Sequence, residues 1–375
     1  MSIFDKKKNR KNSNSKKWDR YHSKDILPMW VADMDFESPN CIKNALRKYV
    51  EHGIYGYHSE PNELRDILKK YLKNKGWNIK KEWIVLTPSV GAPIYSIYDL
   101  IPKKSQVIVP TPIYLNFLKA PKHLGRKILK LPMKIDSGRL VIDLEKLSSL
   151  AKKNSWLMFI NPQNPGGTVY TKKEIKELAK IVKEKNIKVF SDELHCDLLL
   201  QKDLKHTPLG SIKGIERNII AFYSASKTFN VPGLNCAFAV IPCDKLRKDF
   251  QNNSEGVIND ANITGLIALS AAFKKGWGWR DDLIKYLNRN LQILLDTLEK
   301  HKNVSPIIPE ATYLLWVSVK NPNRKKLQAH FEDYGIGIND GIEFGKKDHI
   351  RINFATTYQN VKKASKKIEE ALINL

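Results

Sequence analysis

At 375 residues, with 42% hydrophobic and 9% aromatic residues, the sequence is long enough for one large domain and a smaller one, and its composition excludes a disordered chain. The formal net charge of +25 would suit a polyanion binder, but beyond Lys6–Lys17 the lysines are dispersed beside Glu and Asp and no nucleic-acid-binding motif accompanies them, so a solvated surface is expected and neither nucleic acid nor membrane as partner. No apolar run approaches a membrane span or resembles a signal peptide, and the four cysteines (Cys41, Cys196, Cys236, Cys243) form no Cys-x-x-Cys pair, which together predict a cytoplasmic chain with reduced thiols.

In chain order, Lys6–Lys17 is polar and basic and reads as a loosely held arm. Amphipathic spacing predicts helices over Cys41–Tyr49 and Leu64–Leu72. Short β-rich runs follow at Trp83–Leu86, Gln106–Val109, Trp156–Ile160, Lys188–Ser191, Asn218–Tyr223 and Cys236–Ile241. A helix over Lys172–Lys185, with Thr171 as its N-cap, lies between two of them. Strands alternating with helices predict a largely parallel sheet covered on both faces, with a ligand beyond the C-terminal strand ends. After Ile263 long helices take over, ending in the periodic Arg280–His301. A strand near Tyr313–Val317, a helix near Arg324–Tyr334, a strand at His349–Phe354 and a helix from Val361 complete a smaller unit. The expected division is residues 1–45 as arm and part of the small domain, 46–277 as the large domain, and 278–375 as the small domain.

Four places carry chemistry. Ser224-Ala225-Ser226-Lys227 follows a strand, so Lys227 could form a Schiff base between hydroxyls able to hold a phosphate. An exposed turn lysine is the plainer alternative. The Ser-x-x-Lys motif of penicillin-binding enzymes would need Ser-Asp-Asn and Lys-Thr-Gly elements, which are missing. Asp192, in Ser191-Asp192-Glu193-Leu194-His195, could pair with a pyridine nitrogen or simply cap a helix. A metal site from Asp192, Glu193, His195 and Cys196 lacks the ligand set and spacing of zinc sites. Asn164 lies in the turn Asn161-Pro162-Gln163-Asn164-Pro165-Gly166-Gly167, where it could hydrogen-bond a phenolic oxygen. Arg351, entering a strand, is either solvated or a bidentate carboxylate grip.

Asn164, Asp192 and Lys227 follow three different predicted strands, and Arg351 comes after them. This combination resembles the fold-type I pyridoxal-phosphate enzymes of the aspartate aminotransferase superfamily, over nearly the whole chain. Leu27-Pro28-Met29-Trp30-Val31-Ala32-Asp33-Met34-Asp35-Phe36, Tyr55-Gly56-Tyr57, Thr111-Pro112-Ile113-Tyr114 and Ser224-Ala225-Ser226-Lys227-Thr228-Phe229-Asn230 are similar to the MalY/PatB-type C–S β-lyases, or cystathionine β-lyases. Lys17-Trp18-Asp19 matches that family's N-terminus as well. The resemblance implies an α/β aminotransferase fold type I: a large domain with a mostly parallel central sheet flanked by helices, plus a smaller α+β domain.

It also implies pyridoxal 5′-phosphate as cofactor and a role for each residue. Lys227 would be the Schiff-base lysine, with Asp192 at the ring nitrogen and Asn164 and His195 at the phenolic oxygen. Tyr114 would stack on the ring, although an aromatic there also suits a core. Ser224, Ser226 and backbone N–H groups around Val90 and Gly91 would hold the phosphate. Tyr57 would reach the phosphate from a neighbouring subunit, implying a homodimer, with Tyr55 as a substitute. Arg351 would bind the substrate carboxylate. The stretch Thr87–Pro93 departs from the usual family form at Ser89 and Pro93, which leaves the phosphate contacts there open. Asn235 stands where many aminotransferases place an arginine, as such lyases also have it.

The chemistry so implied is Cα deprotonation of an amino acid by Lys227, then loss of a thiolate from Cβ and release of pyruvate and ammonia. An aminotransferase passing the amino group to a 2-oxo acid is the alternative. A regulatory or binding protein that keeps the fold is the third reading.

Overall fold

The runs Trp156–Ile160 and Ile219–Tyr223 are buried at every position, as strands covered on both faces must be. In the computed structural model, which describes residues 2–320 and 326–375, they lie inside a seven-stranded sheet. Its strands are β1 (Ile84–Thr87), β2 (Val107–Thr111), β3 (Leu129–Pro132), β4 (Trp156–Ile160), β5 (Lys188–Asp192), β6 (Ile219–Tyr223) and β7 (Ala237–Val240). The spatial order is β1-β7-β6-β5-β4-β2-β3. β7 runs antiparallel to both neighbours, and every pairing from β6 to β3 is parallel.

Side chains alternate faces along each strand. Leu157, Phe159, Val189, Ala221 and Tyr223 join one core, whereas Trp156, Met158, Ile160, Phe190, Ile220 and Phe222 join a second on the opposite face. Helices α1 (Asn40–His52), α2 (Leu64–Asn74), α3 (Gly91–Leu100), α4 (Asn116–His123), α5 (Leu144–Leu150), α6 (Lys172–Glu184), α7 (Asp244–Ser254) and α8 (Ile263–Lys275) belong to this part of the chain. The expected cap of α6 is present and reciprocal: Thr171 and Glu174 form a capping box.

A long helix, α9 (Trp277–Leu298), leads to a four-stranded antiparallel sheet. Its strands are β8 (Val304–Ile307), β9 (Leu314–Val319), β10 (Asn339–Asp340) and β11 (His349–Asn353), in the order β8-β9-β11-β10. With α10 (Leu327–Asp333) and α11 (Tyr358–Ile373) they enclose a third core that includes Leu287, Leu294, Val317, Ile350 and Ile368. Phe4, Met29, Met34 and Phe36 from the N-terminal segment also enter it.

Several expectations change in detail. The helix expected from Arg280 begins at Trp277, whose ring stacks 5.7 Å from that of Phe273. Arg324, the expected start of another helix, lies outside the described residues; α10 runs from Leu327. The edge strand β3 and helix α4, which contains Pro121, are not among the expected elements. The N-terminal segment is not loosely held. Lys17 is fully buried, with its ammonium 3.1 Å from Asp35 and 3.6 Å from Asp33, because two downstream carboxylates compensate its charge.

Candidate active site

Burial in the parallel sheet sets the height at which its strands end, and three of the singled-out residues follow those ends. Asp192 is the last residue of β5, Lys227 comes four residues beyond β6, and Asn164 four beyond β4. They open into one cleft of about 360 Å³, lined by Asn164, Asp192, His195, Ser224, Ser226 and Lys227 on the sheet side. Val90, Gly91 and Tyr114 line it as well, while Trp30, Val31, Ala32, Asn339, Glu343 and Arg351 close the opposite side. Of the residues expected to hold the cofactor or substrate, Tyr57 and its substitute Tyr55 are absent from the lining. Tyr57 lies apart from the cleft. It is fully exposed, in the segment after α1. Tyr55 turns back instead, donating to the Val50 carbonyl at 3.2 Å.

The Lys227 ammonium donates to the Ala32 carbonyl at 2.8 Å. Desolvation drives its pKa down to about 8, Arg351 lowers it too, and Asp33 and Asp192 pull the other way. A sizeable fraction of Lys227 is therefore neutral near pH 8. Asp192 is pushed up to about 6, again by burial, and the Leu194 N–H donating at 3.2 Å partly offsets this. It stays mainly ionised at neutral pH. Burial, with Lys227 and Arg351 nearby, drives His195 down to about 3, so its ring is neutral. Among the described residues no partner reaches its Nδ1. Burial also raises the pKa of Tyr114, and the Asp192 charge adds to this.

Arg351 projects from β11 and is only 4% exposed. Its Nη1 donates to Asn164 Oδ1 at 3.0 Å; its Nη2 donates to Asn339 Oδ1 at 2.8 Å and to the Trp30 carbonyl at 3.1 Å. The guanidinium sits 4.4 Å over the Phe344 ring, and Nε has no partner. All its oxygen partners are neutral, so burial lowers its pKa to about 10 despite the pull of Glu343. A buried guanidinium held by dipoles alone is poised to gain from a carboxylate.

Ser224 and Ser226 are linked Oγ to Oγ at 2.8 Å, and Ser224 Oγ also donates to the Cys236 carbonyl at 2.7 Å. α3 begins after Val90 on the same cleft, and its N-cap residue makes no side-chain hydrogen bond to the helix. Its first N–H groups thus keep an anion-binding character. Ser89, at the departure from the family pattern, reaches the Ala92 N–H at 3.4 Å.

The four side chains of the weighed metal site do not converge. Glu193 accepts from Ser191 Oγ at 2.8 Å and from the Tyr223 hydroxyl at 2.6 Å, and the Cys196 thiol lies 3.2 Å from the Tyr71 hydroxyl. Asn339, Glu343 and the carbonyls of Trp30 and Ala32 went unnoticed in the sequence. A backbone acceptor has no sequence signature, and Asn339 sits in a two-residue strand too short to show a pattern.

The family model "Aminotransferase class I and II" matches residues 24–368. The cystathionine β-lyase PatB of Bacillus subtilis (strain 168) is 32% identical over 98% of this chain and 99% of its own length. The crystal structure of OvoB superposes with a TM-score of 0.95 at 33% identity, covering 98% of both chains. That of the PLP-bound C–S lyase from Staphylococcus hominis does so with a TM-score of 0.91 at 28% identity, covering 100% of this chain and 98% of the other. With its parallel sheet, its strand-end cleft and full-length relatives of this kind, the chain belongs to the class I and II aminotransferase family of fold type I, in its MalY/PatB cystathionine β-lyase group.

Proposed function

We propose that this protein is a pyridoxal 5′-phosphate-dependent C–S β-lyase acting on cystathionine, cysteine or a related cysteine thioether. The observation that carries the reading is the convergence of a lysine of lowered pKa, a buried carboxylate and a buried arginine without a carboxylate partner in one cleft. The cleft fits the cofactor. Among the described residues His195 Nδ1 and Arg351 Nε are buried without partners, and the start of α3 at Val90 and Gly91 lines the cleft together with Ser224 and Ser226. Lys227 would bind the cofactor covalently, Asp192 would face the ring nitrogen, and Asn164 and His195 the phenolic oxygen. Tyr114 would lie on the ring face, with the phosphate held by Ser224, Ser226 and the N–H groups at Val90 and Gly91. When bound, pyridoxal phosphate supplies an electron sink for the electrons released at Cα.

The chain's own residues do the rest. Arg351 exchanges neutral oxygens for the substrate carboxylate and so fixes the orientation of Cα–H. The Lys227 amine, set free once the substrate's amine has displaced it from the cofactor, would be neutral and accept the proton from Cα. Ionised Asp192 stabilises positive charge at the ring nitrogen. The Cβ–S bond then breaks, the thiolate leaves and takes up a proton, and water converts the three-carbon fragment to pyruvate and ammonia.

The reading extends to a homodimer. Val50 in the last turn of α1 and Ile54, Tyr55 and Tyr57 just after it are exposed apolar residues, and a second copy would cover them and bring its Tyr57 to the phosphate. It also extends to the domain division at 1–45, 46–277 and 278–375, and to a cytoplasmic location. Four free cysteines suit a reducing compartment, and among the described residues no helix is long and apolar enough to cross a membrane.

The test is an absorbance spectrum of the purified protein followed by addition of L-cystathionine. A visible cofactor band that Lys227→Ala abolishes, with pyruvate and homocysteine released, supports the lyase. Conversion to a pyridoxamine spectrum without pyruvate would make it an aminotransferase. No band after adding pyridoxal phosphate would overturn both.

A further inference from the structure

The side of the cleft opposite the sheet is a loop, Trp30–Asp35, that has little secondary structure of its own. Through its carbonyls it holds both working cations: Ala32 accepts from Lys227, and Trp30 accepts from Arg351. Charges arriving from the N-terminal arm hold the loop in turn. Arg10 forks onto Asp33, with Nη2 at 2.8 Å and Nη1 at 3.2 Å, and its Nη1 also reaches Asp35 and the Met34 carbonyl at 2.8 and 2.9 Å. Lys17 pairs with Asp35 at 3.1 Å and lies 3.6 Å from Asp33. The Trp18 indole donates to Asp35 at 2.8 Å, and the Trp30 indole returns a bond to the Lys17 carbonyl at 3.1 Å. From the other side, Asn230, three residues after Lys227, brackets Met34 and Phe36, and Asn353, two residues after Arg351, bonds the Val31 and Asp33 carbonyls.

We propose that the N-terminal arm is a positioning and charge-setting part of this active site, in which Arg10 and Lys17 hold Asp33 beside Lys227 and moderate its negative field there. This inference takes its catalytic meaning from the lyase reading, which makes Lys227 the reacting amine. Its geometry does not depend on that reading. Lys227 feels Asp33 from the loop, Asp192 from the sheet, Arg351 from the small sheet, and the neutral His195 ring from the segment after β5. Only Asp33 is in turn bound to cations from a separate chain segment. Removing its charge takes an anion from beside Lys227 and leaves Asp35 alone to balance Arg10 and Lys17, which favours neutral Lys227. Removing Arg10 exposes the Asp33 charge and favours the ammonium.

The test measures Lys227 acylation against pH, by mass spectrometry, in the 375-residue chain stripped of cofactor. Its outcome is therefore separate from whether the chain cleaves thioethers. Arg10 and Asp33 are partly exposed, at 23% and 14% of their side chains, so their variants are milder than removal of buried Lys17, and circular dichroism checks their folding. Asp33→Asn should move the midpoint down and Arg10→Met should move it up, each by about half a pH unit or more, or roughly threefold in the ratio of neutral to charged amine. Arg10→Lys should return it towards the starting value. A merely loosened loop would let water back in and move both midpoints up together; that result, or no movement in either, overturns the proposal.

Discussion

The two sides of the cleft are built on different physics. The sheet side rests on strand ends whose positions follow from apolar burial on both faces, with Phe159, Phe190 and Phe222 completely enclosed. The opposite side rests on ions: a loop held by Arg10, Lys17, Asp33 and Asp35, and an arginine held by dipoles. Apolar packing is tolerant of exchange and indifferent to pH, whereas buried ion pairs depend on every partner being present. The residues that bear the reacting charges, Lys227 and Arg351, come from different parts of the fold, yet both lean on the ionic side. That side should thus govern the charge state and orientation of reacting groups, and the sheet side should govern whether a site exists at all.

The largest effect expected is at the reacting amine. Lys227→Ala should lower pyruvate release by at least about 10²–10⁴-fold, the range for losing a positioned proton acceptor, in a chain that still folds. A steady-state assay with circular dichroism checks both halves. On the ionic side, Lys17→Met breaks a buried ion pair and leaves Asp35 with Arg10 and the Trp18 indole, which should cost up to about 3–5 kcal/mol of stability in denaturant unfolding. Leu157→Ala, inside the sheet, should cost about 2–5 kcal/mol but leave the midpoint of Lys227 titration in place. If the two variants disturb that midpoint equally, the contrast between the sides is wrong. Arg351→Leu removes the carboxylate grip and should weaken substrate binding by about 2–5 kcal/mol, seen as a raised KM with a smaller change in kcat.

The pH dependence follows from the same pair of environments. Capture of pyridoxal phosphate by the cofactor-free chain needs the neutral Lys227 amine, so its rate should rise with pH through about 8. It should fall away below about 6 as Asp192 takes up a proton and stops stabilising a cationic ring. Stopped-flow absorbance on mixing reads both limbs. Asp35 gives a stability counterpart. Its folded pKa lies below the ordinary carboxylate value, so its contribution is present above about pH 4 and lost as pH falls through the folded value. The smallest effect expected is Thr171→Ala, which removes the α6 cap outside the cleft lining and should cost about 1 kcal/mol without touching turnover.

The two sides also differ in how they read from sequence. Apolar runs bounded by turns mark β4, β5 and β6 to within a residue or so, and that is enough to put Asn164, Asp192 and Lys227 at strand ends. The capping box at Thr171 is equally local. The ionic side is not local: Lys17 meets Asp35 across eighteen positions and Arg351 meets Asn164 across 187, and no periodicity encodes such pairs. A basic polar stretch looks like a solvated arm until its carboxylate partners are known. The carbonyls of Trp30 and Ala32 belong to the backbone and leave no mark on residue type. Tyr57 is a further case, since it stands fully exposed among the described residues.

The most direct measurement of the central claim is the stoichiometry of products from L-cystathionine, with pyruvate and free thiol followed in the same reaction. The account predicts one pyruvate for each homocysteine, loss of both in Lys227→Ala, and no requirement for a 2-oxo acid. Turnover that needs a 2-oxo acid and yields no thiol would contradict it.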